Sequence, residues 1–174
     1  MIYRLFNSFL GGRLSLPPKA ERIKRIWQKS NMEQDQDLMY QTEFWKVILM
    51  PDQTYLGRCV VVLKRNCGDL AEVSHEEVLD FFDNVVKKLE VSFRNTFNAT
   101  MFNWTCLMNN AYQEEVPKPQ VHWHFRPRYK SPVHFLGETF IDPNFGHHYE
   151  RATEKLINQD IRKEIIKQIA SNLA

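Results

Sequence analysis

The stretch that decides the fold is Gln120-Val121-His122-Trp123-His124-Phe125-Arg126-Pro127-Arg128. Its polar positions, Gln120, His122, His124 and Arg126, alternate with Val121, Trp123 and Phe125. Successive side chains of a strand point to opposite faces. Read as a strand over 120–125, the segment puts four polar groups, two of them imidazoles, on one face and core residues on the other. Pro117 and Pro119 bound the strand on one side and Pro127 on the other, because proline cannot donate to a sheet ladder.

Working outward, Thr100–Met108 reads as a strand before it, and Phe44–Met50 is an aromatic and β-branched run that Pro51-Asp52 breaks. Tyr55–Leu63 reads as a further strand, with Cys59-Val-Val-Val-Leu63 as a nearly continuous apolar core segment. Ser74 stands three residues before Glu77, the pattern of a capping box. Behind it Val78, Phe82, Val85 and Leu89 recur at helical steps, predicting a helix to about Phe93 with one buried face. Ile157, Ile161 and Ile165 mark a second helix over about 154–169. The order strand, strand, helix, strand, strand, helix, with short turns inside the strand pairs, predicts an α+β domain: an antiparallel sheet with helices packed on it.

The domain is expected to span residues 42–174, including the C-terminal helical extension. Residues 1–41 read as an N-terminal extension with a basic helix. There Gly11-Gly12 and Pro17-Pro18 punctuate the chain, and Lys19–Lys29 sets Ile23, Ile26 and Trp27 on one side. This segment reads as an appended surface helix or as a contact with a membrane surface or nucleic acid. Met32 is an alternative start of translation.

Composition narrows the function classes. The chain has 174 residues, 43% of them hydrophobic and 25% charged, which suits one globular domain. A formal charge of +2 is too small for a general nucleic-acid binder. Cys59, Cys67 and Cys106 are odd in number and lack C-x-x-C spacing, which argues against a disulfide framework and for a reducing, cytoplasmic setting. No apolar run is long enough to span a bilayer.

The two histidines leave more than one reading open. An amphipathic strand can carry them without further purpose. Alternate strand histidines can also share a zinc ion, with His147 or His148 as a third ligand. No third ligand has a persuasive spacing, and no nearby carboxylate completes a catalytic set.

The segment also resembles the signature of the histidine-triad family of nucleotide-binding proteins. That signature alternates three histidines with apolar residues and is followed by Pro-Arg. Here Gln120, His122 and His124 precede Pro127-Arg128 at the matching distance. Gly57, Val60–Leu63, Lys64-Arg65, Asp69-Leu70 and Val73 match the family's upstream pattern in register. Asn103 and Asn109 resemble the asparagines of the strand before the signature, and Asn109 lies eleven residues before Gln120. The resemblance covers about residues 42–130.

The departures are specific. Gln120 replaces the first histidine, and Asn66 replaces a histidine that often follows the Lys-Arg pair. Ala111–Pro119 is not the family's Ala-Gly-Gln phosphate loop. Met50 falls where the family has a ribose-binding acidic or amide residue, so Asp52 becomes the nearest candidate.

The resemblance implies a nucleotide phosphate hydrolase or nucleotidyl transferase acting at an α-phosphate. His122 would be the nucleophile of a nucleotidyl-histidine intermediate, and His124 and Gln120 would flank the phosphate. Asn109, Arg126 and Asp52 are the further substrate-binding candidates. A nucleotide or dinucleoside polyphosphate is the expected substrate, with no cofactor, no metal and a homodimeric assembly. The alternatives are a nucleotide-binding module with little or no catalysis and a metal-binding protein using His122 and His124. Arg128, Lys130 and Lys118 read as a solvated basic edge, and Gly146-His147-His148-Tyr149 as a surface turn or a cover for the site.

Overall fold

The computed structural model describes residues 36–149 and 153–173. The basic helix expected within residues 19–29 lies outside the described residues.

Five strands form one antiparallel sheet: β1 (Leu38–Gln41), β2 (Trp45–Leu49), β3 (Cys59–Leu63), β4 (Met101–Cys106) and β5 (His122–Arg128), in the spatial order β1-β2-β3-β5-β4. Three helices, α1 (His75–Asp80), α2 (Lys87–Phe97) and α3 (Gln159–Ala170), and a two-stranded hairpin, β6 (Val133–Phe135) and β7 (Glu138–Phe140), complete it. The α+β architecture is the one the sequence predicts.

Three boundaries differ for identifiable reasons. The sheet starts at Leu38, inside the expected extension, because Leu38, Tyr40 and Gln41 pair with Ile48, Val47 and Lys46 across a bulge. Tyr55–Arg58 is a turn, closed by the Arg58 N–H donating to the Tyr55 carbonyl at 2.9 Å, so β3 is only the Cys59–Leu63 run. Its Gly57 has φ +81°, and a Cβ there would meet the Phe93 ring at 1.9 Å, so both conformation and space exclude a side chain.

Pro127 does not end β5. The Arg128 carbonyl accepts from the Thr100 N–H on the β4 side. Alternation then turns the backbone of Pro127 to the other side, past the last β3–β5 pair, Cys59 with Phe125. Its missing N–H leaves no ladder bond unmade.

The helix facing the sheet departs most from the expected periodicity. Ser74 caps α1 in the predicted capping box with Glu77, worth about 1 kcal/mol. A π-helical turn, Phe81–Val86, then joins α1 to α2. Val78 is 39% exposed and Phe82 54%, so neither lies on the buried face the sequence predicts. The buried row is Phe81, Val85, Leu89, Phe93 and Phe97, at strict steps of four. Such a row drifts around a regular α-helix by roughly 40° per step. The wide π turn absorbs part of that drift and keeps Phe81 and Phe93 on the same sheet face. Phe81 packs on Trp45 at 5.0 Å and stacks on Trp123 at 5.1 Å, while Phe93 meets Phe125 at 5.4 Å. The C-terminal helix, predicted over 154–169, begins where Asn158 caps the Ile161 N–H. It buries Ile161, Ile165 and Ile169 against α2 and β1.

Among the described residues, the π turn and α2 cover the sheet face that carries Trp45, Trp123 and Phe125. Register places the alternating polar residues on the other: His122 opposite Val62, His124 between Val60 and Thr105, and Arg126 opposite Asn103. Among the described residues no helix is long and apolar enough to cross a membrane.

Candidate active site

The site is a row on β5. His122 and His124 are half-buried neighbours with ring centroids 4.9 Å apart and planes at 82°. Nδ1 of His122 lies 2.8 Å from the backbone carbonyl of Gln120. A carbonyl can only accept, so the contact calls for a proton on Nδ1, and in the neutral ring the lone pair then resides on Nε2. The tautomer of the central histidine is thus set by its own strand, two residues upstream.

Gln120 lies just before β5, and its side chain turns onto the chain itself. Its amide donates to the carbonyls of Leu63 and Arg65, each at 2.9 Å, and its Oε1 accepts the Cys67 N–H at 3.3 Å. Both amide hydrogens are spent on the chain itself, so the side chain is a bracket to the loop after β3 and not a donor held toward a phosphate.

Asp52 is likewise committed. One carboxylate oxygen accepts from Thr54 N–H at 3.0 Å, Thr54 Oγ1 at 2.7 Å and Lys155 N–H at 3.1 Å, and the other is bonded by Arg58. It fastens the 52–58 turn to the bridge with Leu156. Asn109 is not in a strand. It opens a 3₁₀ turn over Asn109–Gln113, exposed, just past the end of β4 nearest His122.

Arg126 and Arg128 continue the row yet are buried. Arg126 is 5% exposed, and the ring of Tyr149 lies 4.0 Å from its guanidinium carbon. Arg128 is fully buried, which overturns the solvated edge expected for it. Its five N–H donors are all used. Nε and NH2 hold both oxygens of Asp142 at 2.6 and 3.0 Å. NH1 reaches Asn103 Oδ1 at 2.9 Å and the His147 carbonyl at 3.1 Å, and NH2 reaches the Asn144 carbonyl at 2.5 Å. Sequence reasoning missed Asp142 altogether. The parity of Arg128 with His122 and His124 was the available signal that it shares their face.

The strap over 142–149 therefore covers the Arg126–Arg128 end of the row, and the His148 ring lies tilted beside Tyr149 at 5.2 Å. A cavity of about 440 Å³ lined by Asn98, Val133, His134 and Gln168 contains no β5 residue. The two histidines are half-buried on the sheet. Among the described residues no group of three His, Cys, Asp or Glu side chains is placed to hold a metal ion. Burial raises the Cys59 thiol far above its ordinary value and raises Cys106 as well, which keeps both protonated and inert.

No protein-family model matches the sequence, and no curated protein matches it. Solved structures do match the fold. A hypothetical histidine triad nucleotide-binding protein from Sulfolobus tokodaii strain 7 aligns over 86% of this chain and 89% of its own, at 13% identity and a TM-score of 0.59. A histidine triad protein from Sinorhizobium meliloti 1021 aligns over 91% and 96%, at 16% identity and 0.59. The Plasmodium falciparum diadenosine triphosphate hydrolase, solved with cyclomarin A, aligns over 78% and 75%, at 14% identity and 0.51. The chain has the histidine-triad fold.

Proposed function

We propose that this histidine-triad fold serves a nucleotidyl hydrolase or transferase that acts at the α-phosphate of a nucleotide or dinucleoside polyphosphate through His122. The observation that carries the reading is the 2.8 Å contact between His122 Nδ1 and the Gln120 carbonyl. It fixes the tautomer whose Nε2 can attack phosphorus, the arrangement a histidine nucleophile needs.

The first step forms the Nε2–P bond while the bond from phosphorus to the leaving group breaks. The leaving group departs with the electron pair and takes up a proton. Water then forms a new P–O bond and loses a proton, and Nε2 leaves with its electron pair. The product is a nucleoside monophosphate. An alcohol or amine in place of water makes the same step a transfer.

His124, beside His122 on the same face, is the donor to the phosphate oxygens as charge builds in the transition state. Asn109 keeps an exposed amide at the same end of the sheet and is the second binding candidate. Arg126, two residues past His124, contributes positive charge from under Tyr149. We assign the protein to the cytoplasm on its three free cysteines and propose a homodimer. The second reading is a nucleotide-binding module with little turnover. The committed amide of Gln120 favours it, since one phosphate donor fewer weakens transition-state stabilisation.

Phosphorus NMR of the purified protein separates the two. Nucleoside phosphoramidates, diadenosine polyphosphates and nucleotide sugars form the substrate panel, with His122→Asn as control. Release of a nucleoside monophosphate by wild type and not by the variant is expected. Ligand-induced shifts in protein signals without any release would leave the binding module, and equal release by both proteins would remove His122 as nucleophile.

A further inference from the structure

We propose that Gln120 is a positioning residue for His122, acting through its side chain on the loop after β3. The proposal rests on the reading of His122 as nucleophile only for its kinetic arm.

The approach to β5 is poorly supplied with backbone donors. Pro117 and Pro119 have no N–H, so the chain just before the strand cannot be pinned by their ladder bonds. Two peptide bonds later the carbonyl of Gln120 must nevertheless sit within 2.8 Å of an imidazole nitrogen. The peptide that bears this carbonyl is held from its other end, where the Val121 N–H donates to the Cys67 carbonyl at 2.8 Å. Its orientation is therefore only as good as the placement of Cys67.

Cys67 belongs to an irregular loop, and Gln120 Oε1 accepts its N–H. The two bonds, one from each side of Cys67, have the form of a strand bridge in which a side-chain oxygen takes the place of a backbone carbonyl. The amide nitrogen of Gln120 extends the bracket to the carbonyls of Leu63 and Arg65, so one side chain satisfies three backbone groups on alternate residues, 63, 65 and 67. The Arg65 side chain, in turn, is held by the Glu77 carboxylate at 2.6 and 2.9 Å and by the Glu72 carbonyl at 2.7 Å. The loop that places the nucleophile is thereby fixed to the capped end of α1.

This assignment predicts the opposite of a phosphate-facing role for one substitution. A histidine at position 120 has two ring nitrogens to meet three backbone groups, so at least one bond is lost and turnover falls. A phosphate donor would gain strength from the same change, and turnover would rise.

The test uses the full chain with ring-¹⁵N-labelled histidine, assigned with His122→Asn. In wild type without ligand, His122 is expected to show a protonated Nδ1 and a pyridine-like Nε2. Gln120→Met, similar in length but without hydrogen bonds, is expected to show mixed tautomers for His122 while the other histidine signals stay in place. An unchanged His122 tautomer would overturn the proposal. If wild type turns over none of the panel, the nucleophile reading fails while this arm still decides the positioning role.

With an active substrate, Gln120→Met and Gln120→His should lower kcat by roughly 10²-fold, the penalty of misplacing a reacting group by about an ångström. KM should move by less than about twofold, because the group lost does not bind substrate. A raised KM with unchanged kcat, or a faster Gln120→His enzyme, also overturns it. Should Gln120→Met lose its folded spectrum, Gln120→Asn keeps both amide donors on a stem one methylene shorter. It is expected to shift the tautomer and kcat in the same direction by less, and no shift in either would count against the bracket.

Discussion

The two ends of β5 share a strand and a face, and they use their polar residues in opposite ways. At the upstream end His122 and His124 are half-buried on the sheet face opposite Phe125, and one backbone carbonyl holds Nδ1 of His122. At the downstream end Arg126 and Arg128 are buried, and Arg128 spends every donor on Asn103, Asp142 and two carbonyls of the 142–149 strap. Alternation along a strand fixes which face a side chain takes. It does not fix what lies on that face. A polar side chain left half-covered can do chemistry. The same chemistry, once enclosed and fully bonded, becomes structure.

The comparison breaks most sharply at Asp142. Its carboxylate is the only anion described on Arg128, and the pair is sealed from solvent at 0% and 2% side-chain exposure. Asp142→Ala leaves a buried guanidinium uncompensated, a loss of about 3–5 kcal/mol. His124→Asn at the open end should stay within about 1 kcal/mol of wild type, since neither a cavity nor a buried charge is created. Urea unfolding of the two variants reads the difference directly. Equal losses would mean that the two ends are not distinct in kind.

A smaller effect is expected at Arg126, which stands between the two regimes. Arg126→Met keeps an unbranched stem against Tyr149 and removes the cation from its ring. The contact is worth about 1–2 kcal/mol when desolvated, so the variant should lose stability on that scale. Turnover, if Arg126 contributes only potential to the phosphate site, should fall far less than in His122→Asn. A variant as inactive as His122→Asn would move Arg126 into the group that touches substrate.

Much of the open end is legible in the sequence, because it depends on local pattern. The period-two alternation around His122, the Ser74–Glu77 capping box and the isoleucine steps of α3 each report a neighbourhood of a few residues; the cap stands as predicted, while β5 runs on through Pro127 and Ile157 lies before α3. The closed end depends on contacts made far along the chain. Arg128 meets Asp142 and His147 only after the β6–β7 hairpin has turned the chain back, and nothing near Arg128 encodes that return. Gln120 is intermediate. Its face follows from parity, but its role requires knowing that Cys67 lies within reach, 53 residues away. The π turn at Phe81–Val86 was hidden for a different reason. Phe81 and Phe82 are adjacent and equally apolar, and a regular helical period selects the wrong one.

The smallest effect tests how firmly the open end is anchored. Glu77 receives the Arg65 guanidinium on both oxygens, and this ion pair, aided by the Ser74 N–H, holds its carboxyl below the usual carboxylate value although partial burial opposes the shift. Its protons bind more weakly in the folded chain than in the unfolded one. The stabilisation is therefore complete above the unfolded value, about pH 4.3, and is lost as pH falls through the lower folded value. Glu77→Gln preserves an oxygen for the Ser74 N–H and removes the charge. The Tm gap between wild type and variant should be widest near neutral pH and close in acid, where the wild-type carboxyl is itself neutral. Because the guanidinium is 45% exposed, salt should narrow the same gap at pH 7. A gap that persists unchanged into acid would show that Glu77 holds the Arg65 loop by shape and hydrogen bonding alone. The Gln120 bracket would then be indifferent to the ion pair beneath it.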